Sequence, residues 1–138
     1  MTTYVPAALR RLVIERANNR CEYCLFPQSA SLFTLEIEHI IAERHRGETT
    51  AENLALACPH CNRFKGSDLG SIDSQTDQLT PLFHPRQQQW AEHFELCKAE
   101  IRPLTAAGRV TVFLLQFNNL DRLEERQILI AGGQYSDY

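Results

Sequence analysis

The sequence predicts an α+β fold, and three observations support this prediction. Two short cysteine pairs, Cys21 with Cys24 and Cys58 with Cys61, enclose a segment that alternates polar and apolar residues as a strand does. Apolar residues at helical spacing precede the first pair and return in the last third of the chain. The length of 138 residues and a hydrophobic content of 43% suit a modest core. We therefore predict a single domain over residues 1–138.

The N-terminal flank is predicted to be a helix over about residues 6–18. Pro6 suits the first turn of a helix, because its missing N–H would have no partner there in any case. Leu9 and Val13 then follow helical spacing, and Asn18 begins an Asn-Asn pair that is a plausible stop.

Between the cysteine pairs the pattern changes to that of a two-stranded unit. A strand is expected within residues 32–41, ending near His39, because this stretch is rich in β-branched and apolar residues. The polar residues 43–52 are expected to form a loop, and residues 53–58 a second short strand. A short helix should follow and end at Gly66. The order is strand, loop, strand, helix.

The remaining chain is predicted to be a long connector followed by a mainly helical extension. Residues 67–80 are polar and are expected to be the connector. The extension over residues 81–132 should hold helices over about 106–118 and 120–131, with Thr105 as a cap of the first.

The cysteines indicate a metal site rather than a disulfide framework. The chain has five cysteines, and its N-terminus lacks the basic and then apolar pattern of a secretion signal. Cys97 stands apart and is expected to be a small buried hydrophobic residue. Four thiolates favour a structural Zn²⁺ with no open position, and the ligands are expected to be Cys21, Cys24, Cys58 and Cys61. The alternatives are a redox motif and four incidental buried cysteines.

The charge of the chain restricts its partners. A net charge of −3 argues against tight binding of nucleic acid, since such proteins are usually basic. The acidic excess lies in the second half of the chain. Residues 1–70 hold eight basic and eight acidic residues, whereas residues 71–138 hold six basic and nine acidic residues. No apolar run is long enough to cross a bilayer, so we expect a cytoplasmic protein without a membrane partner.

The order of these motifs resembles that of the zinc-stabilised HNH endonucleases. The similarity covers residues 21–66: a C-x-x-C pair, then Glu38-His39-Ile, then Asn53-Leu, then C-x-x-C followed at once by Asn62 and shortly by Lys-Gly. It implies the ββα-metal fold and metal-dependent cleavage of phosphodiester bonds in DNA. The stretch after residue 90 also resembles the C-terminal extension of small stand-alone bacterial HNH proteins.

The resemblance assigns a role to each residue of the motif. His39 matches the general base, a role that suits imidazole because it titrates near neutrality. Glu38 and Asn62 match ligands of a catalytic ion, and their oxygen atoms favour Mg²⁺ or Mn²⁺. Asn53 matches a catalytic-motif residue that ties the long loop and orients the base. The basic residues that could contact phosphates are Lys65, Arg63, Arg44 and Arg46.

One feature of the strand opposes this assignment. Adjacent residues of an ideal strand point to opposite faces, so Glu38 and His39 share a site only if the strand is distorted or ends there.

Three functions are compatible with these observations. The first is a DNA endonuclease or nickase that uses one divalent ion and a histidine base. The second is a catalytically silent, zinc-stabilised module that binds nucleic acid or protein. The third is a redox or metal sensor that uses the thiols. The complete set of motif residues favours the nuclease, because a pure scaffold has no need of them.

Overall fold

The computed structural model describes residues 3–135, so the first two and the last three residues lie outside the described part. The first half contains two helices and two strands. Their bounds are α1 Ala7–Arg16, β1 Glu36–His39, β2 Leu54–Ala57 and α2 Pro59–Lys65. The predicted helix, strands and short helix are therefore all present, and the α+β class is confirmed.

The strands β1 and β2 form an antiparallel pair against which α2 packs. Glu36 lies opposite Ala57, and His39 lies opposite Leu54. All four residues of β2 are buried, because its two faces meet α1 on one side and the cysteine region on the other. Gly66 ends α2 with a positive φ of 50°, a conformation that costs glycine little.

The predicted connector over residues 67–80 is wrong in one respect, because it contains a hairpin. Strand β3 is Gly70–Ile72, and it pairs antiparallel with β4, which is Leu79–Pro81. The polar composition hid the hairpin, because the carboxylate in its turn is buried and is paired with an arginine far away in the sequence. Asp73 is fully buried there, and it accepts hydrogen bonds from Arg109 at 2.7 and 3.0 Å.

The extension over residues 81–132 is mainly helical, as predicted, and it also contains a hairpin. Its elements are α3 Trp90–His93, β5 Phe94–Cys97, β6 Glu100–Pro103, α4 Ala106–Leu114 and α5 Leu120–Ala131. The hairpin turns at Lys98, which has a φ of 56°, and its buried residues Phe94 and Ile101 face the core. Thr105 caps α4 as predicted, accepting from Gly108 N at 3.1 Å. Cys97 is only half-buried.

The extension packs directly on the cysteine region. Trp90 donates its indole N–H to the carbonyl of Tyr23 at 2.8 Å. The ring of Phe94 lies 5.2 Å from that of Trp90 and 5.6 Å from that of Phe117, within the range of favourable aromatic pairs. Among the helices of residues 3–135, none has the length and apolar character that crossing a membrane requires.

Candidate active site and metal centre

The four cysteines predicted as zinc ligands come together in one buried cluster. Their sulfur atoms all lie within 4.8 Å of one another. Tetrahedral zinc with Zn–S bonds of about 2.3 Å places its sulfurs about 3.8 Å apart. The sulfurs of Cys24 and Cys58 are 3.6 Å apart, close to that value. The cluster therefore has the composition and the size of a structural zinc site, with every ligand position filled by protein.

A buried arginine adjoins this cluster and was not among the sequence-based candidates. Arg122 on α5 is 5% exposed, and its Nη2 lies 3.1 Å from the sulfur of Cys61. Burial opposes the charge of Arg122, yet the neighbouring sulfurs raise the pKa of its guanidinium above the ordinary value. The signal that could have found it is the position of Arg122 and Arg126 on the face of α5 that also carries the buried Leu129.

The carboxylate of Glu38 is buried and has two partners. Tyr23 donates its hydroxyl to one oxygen, and the amine of Lys65 lies 3.0 Å from the other. Burial raises the pKa of Glu38, while the charge of Lys65 and the two hydrogen bonds oppose that rise. Lys65 is itself 2% exposed and also donates to the carbonyl of His39 at 3.2 Å. The structure therefore does not place Lys65 where a phosphate could reach it, because its amine is buried and bonded to Glu38 and His39.

The imidazole of His39 contacts the loop between β1 and β2. Its Nε2 lies 2.8 Å from the hydroxyl of Thr49, on the loop that follows β1. The ladder with β2 extends through His39, so the ordinary alternation of side chains persists to the end of the strand. The strand ends at His39, which is one of the two conditions under which Glu38 and His39 can share a site.

Asn62 and His39 line the same open cleft, between the end of β1 and α2. The amide nitrogen of Asn62 donates to the exposed carboxylate of Glu36, which leaves its amide oxygen for another partner. The residues that line the cleft are Ile37, Glu38, His39, Ala42, Glu43, Asn62 and Gly66. Three of the four motif residues thus line the cleft: His39, Asn62, and Glu38 with its carboxylate engaged by Tyr23 and Lys65.

Asn53 lies outside the cleft and ties the loop between β1 and β2. Its side-chain oxygen accepts from Ile41 N at 2.9 Å. Its amide nitrogen donates to the carbonyls of Ile41 at 3.0 Å and Glu48 at 2.9 Å. Gly47 is required beside it, because a Cβ there would meet the Ile41 carbonyl oxygen at 1.6 Å. The geometry fits the loop-tying role that the resemblance implies.

The remaining predicted phosphate ligands are exposed. Arg44 and Arg46 lie on the loop after β1, beside Glu43 of the cleft. Arg63 lies next to Asn62 on α2, and its guanidinium rests 4.9 Å from the ring centre of Phe64. These three arginines, unlike Lys65, are free to approach a polyanion.

Comparison with known proteins agrees with this arrangement. Residues 21–68 match the family model described as HNH endonuclease, almost the segment that the resemblance covers. Residues 21–68 form an HNH domain. The chain is also similar to the Septu protein PtuB of Bacillus thuringiensis, to which it is 27% identical over 130 residues. The match covers 93% of this chain but 46% of that protein, so the chain spans about half the length of this relative. No solved structure matches the chain significantly.

Proposed function

We propose that the protein is a metal-dependent endonuclease that nicks DNA. The observation that supports this most is the open cleft in which His39 and Asn62 meet, within a segment that matches the HNH family. A cleft open to solvent can admit a nucleic-acid backbone, and the exposed Arg44 and Arg46, which closely follow the cleft residue Glu43, provide positive charge for phosphates. We expect weak binding of DNA that falls steeply with salt.

In this proposal His39 is the general base. In the tautomer in which the Nε2–H of His39 donates a hydrogen bond to the Thr49 hydroxyl, Nδ1 is unprotonated and able to take a proton from water. The water then attacks the scissile phosphorus in line, and the products are a 5′-phosphate and a 3′-hydroxyl. General-base catalysis of this kind contributes about 10²- to 10⁴-fold to the rate.

Glu38 and Asn62 would hold a catalytic Mg²⁺ or Mn²⁺, because both supply oxygen ligands near the base of the cleft. Such an ion neutralises charge on the phosphate and stabilises the leaving oxygen. The fit is partial, since the Glu38 carboxylate is engaged by Tyr23 and Lys65. Each oxygen of the Glu38 carboxylate has one such partner and keeps a second lone pair for an ion.

A conversion assay with supercoiled plasmid tests the proposal. The purified protein should convert the plasmid to open circles with Mg²⁺ or Mn²⁺ but not with EDTA. DNA ligase should reseal the nicks, because a 5′-phosphate and a 3′-hydroxyl are its substrates. His60→Ala is the matched control, since His60 is exposed on α2 and does not line the cleft with His39. Absence of conversion with both ions would contradict the proposal.

The second candidate is the catalytically silent module that binds nucleic acid. The buried Glu38–Lys65 pair favours it, because a carboxylate neutralised by lysine is a poor ligand for a hard cation. Retention of plasmid in a gel shift without conversion to open circles would identify this function. DNA as the partner and a cytoplasmic location are part of the proposal in both cases.

A further inference from the structure

Arg122 is a buried cation without a carboxylate partner. The ion pairs described within residues 3–135 join other residues, and none of them includes Arg122. Its Nη1 donates to the carbonyl of Leu115 at 2.6 Å. Its Nη2 lies 3.1 Å from the sulfur of Cys61 and 3.8 Å from that of Cys58. Because a buried charge is costly unless it is paired, the cysteine cluster is the counter-charge of this arginine.

The cysteine cluster with its zinc is also a buried charge, and a neighbouring cation stabilises it. Four thiolates around Zn²⁺ carry two net negative charges, and all four cysteines are buried. One guanidinium in hydrogen-bonding contact brings the net charge of zinc, thiolates and arginine together to −1. A hydrogen bond also draws electron density from a thiolate, and nucleophilic attack by sulfur depends on that density. Cys61, the nearer of the two sulfurs, is affected most.

We propose that Arg122 is the outer cation of the zinc centre, and that it both retains the metal and shields Cys61 from electrophiles. The arginine reaches the cluster from α5, so the C-terminal extension supplies a part of the metal site that the HNH segment lacks. This inference is independent of nuclease activity. It predicts a property of the zinc-loaded protein that a silent module would share.

Arg126 provides a matched control on the same helix. It is 2% exposed and lies one turn after Arg122. Its donors reach oxygen rather than sulfur: the carbonyls of Ala99 at 2.7 Å and Phe117 at 2.6 Å. Replacing Arg126 therefore removes a buried cation of the same kind and loosens the same helix, but it leaves the hydrogen bond to Cys61 intact.

The experiment compares zinc-loaded wild-type protein with Arg122→Gln, Arg122→Lys and Arg126→Gln. Zinc release to a chromogenic pyridylazo chelator is followed at constant pH, and iodoacetamide labelling of each cysteine is quantified by peptide mass spectrometry. Arg122→Gln should release zinc about 10- to 100-fold faster, the usual effect of losing an outer partner of a metal ligand. Labelling of Cys61 should accelerate more than that of Cys21. Arg126→Gln should release zinc close to the wild-type rate.

Equal zinc release from Arg122→Gln and Arg126→Gln would overturn the proposal, because the cause would then be general loosening of α5. Uniform acceleration of labelling at all four cysteines would overturn it for the same reason. If Arg122→Gln does not fold, Arg122→Lys decides the question. Lysine keeps the charge but cannot bridge Leu115 and Cys61 with a planar fork, so Cys61 should still label faster than in the wild type. Unchanged labelling of Cys61 in that variant would contradict the proposal, as would the absence of bound zinc in the wild type.

Discussion

At the scale of single residues, the buried pair of Glu38 and Lys65 determines how the cleft is built. The strand β1 directs Glu38 inward, and α2 brings Lys65 to meet it at 3.0 Å. The same amine contacts the carbonyl of His39, so one lysine fixes both the Glu38 carboxylate and the backbone of His39. Removing one member of a buried pair leaves an uncompensated charge, which costs far more than the pair contributes.

Lys65→Met should therefore destabilise the protein strongly. We expect a loss of about 3–5 kcal/mol in the free energy of unfolding, because the Glu38 carboxylate loses its cation in a buried place. The midpoint of urea unfolding measures this loss. The double variant Glu38→Gln with Lys65→Met should recover much of it, since no unpaired charge remains. A midpoint equal to that of the wild type in Lys65→Met would show that Glu38 does not depend on this lysine.

At the scale of elements, the hairpin of β3 and β4 is fixed to α4 by Asp73 and Arg109. The guanidinium of Arg109 forms two hydrogen bonds with the carboxylate, and Thr76 donates a third at 2.8 Å. These bonds hold the pKa of Asp73 well below its usual range. A depressed folded-state pKa contributes stability above the unfolded pKa of about 4, and that contribution is lost as the pH falls through the folded-state pKa.

Asp73→Asn should lower the midpoint of thermal unfolding by an amount that does not change between about pH 5.5 and pH 8. The carboxyl group stays ionised in the folded and the unfolded state throughout this window, so the lost interaction is the same at each pH. Calorimetry of the wild type and the variant at several pH values measures the difference. Below about pH 4 the difference should shrink, because the carboxyl group takes up a proton in the unfolded state before it does so in the folded state; a difference that stays constant down to about pH 2.5 would mean that the Asp73 pKa is not depressed.

Local signals in the sequence predicted some elements and not others. The cysteine spacing and the end of α2 at Gly66 depend on residues close in sequence, so the strand-loop-strand-helix order could be predicted. The hairpin that contains Asp73 could not be predicted, because the buried Asp73 is paired with Arg109, which is 36 residues away. Arg122 was missed for the same reason, since it contacts Cys61 across 61 residues. The direction of the Glu38 side chain required the packing of α2 on β1.

At the scale of the whole molecule, the extension and the residues directly after it contact the cysteine region at three points. Trp90 donates to the carbonyl of Tyr23, Arg122 reaches the sulfur of Cys61, and Tyr135 donates to the carbonyl of Cys24. Zinc and extension should therefore stabilise each other, because metal binding to a site absent from the unfolded chain adds directly to the folding free energy. The oxygen ligands proposed for the cleft gain no such support from these three contacts.

Brief treatment with EDTA should stop DNA cleavage before it unfolds the protein. An oxygen site that holds several waters exchanges its ion quickly, whereas four buried thiolates release zinc slowly. Bound zinc after gel filtration and the far-ultraviolet circular dichroism should both be unchanged when activity is gone, and added Mg²⁺ should restore cleavage. Loss of helical signal together with activity would show that the two metal sites are not separate.

The most direct test of the central claim, that His39 is the base of a metal-dependent hydrolysis, is the nicking rate of His39→Ala. His39 is half-buried at the cleft, so its truncation should leave the fold and the bound zinc intact. At saturating Mg²⁺ we predict a rate at least about 100-fold below that of the wild type, in line with the loss of a general base, and partial recovery with added imidazole. Nicking by His39→Ala at the wild-type rate would contradict the claim.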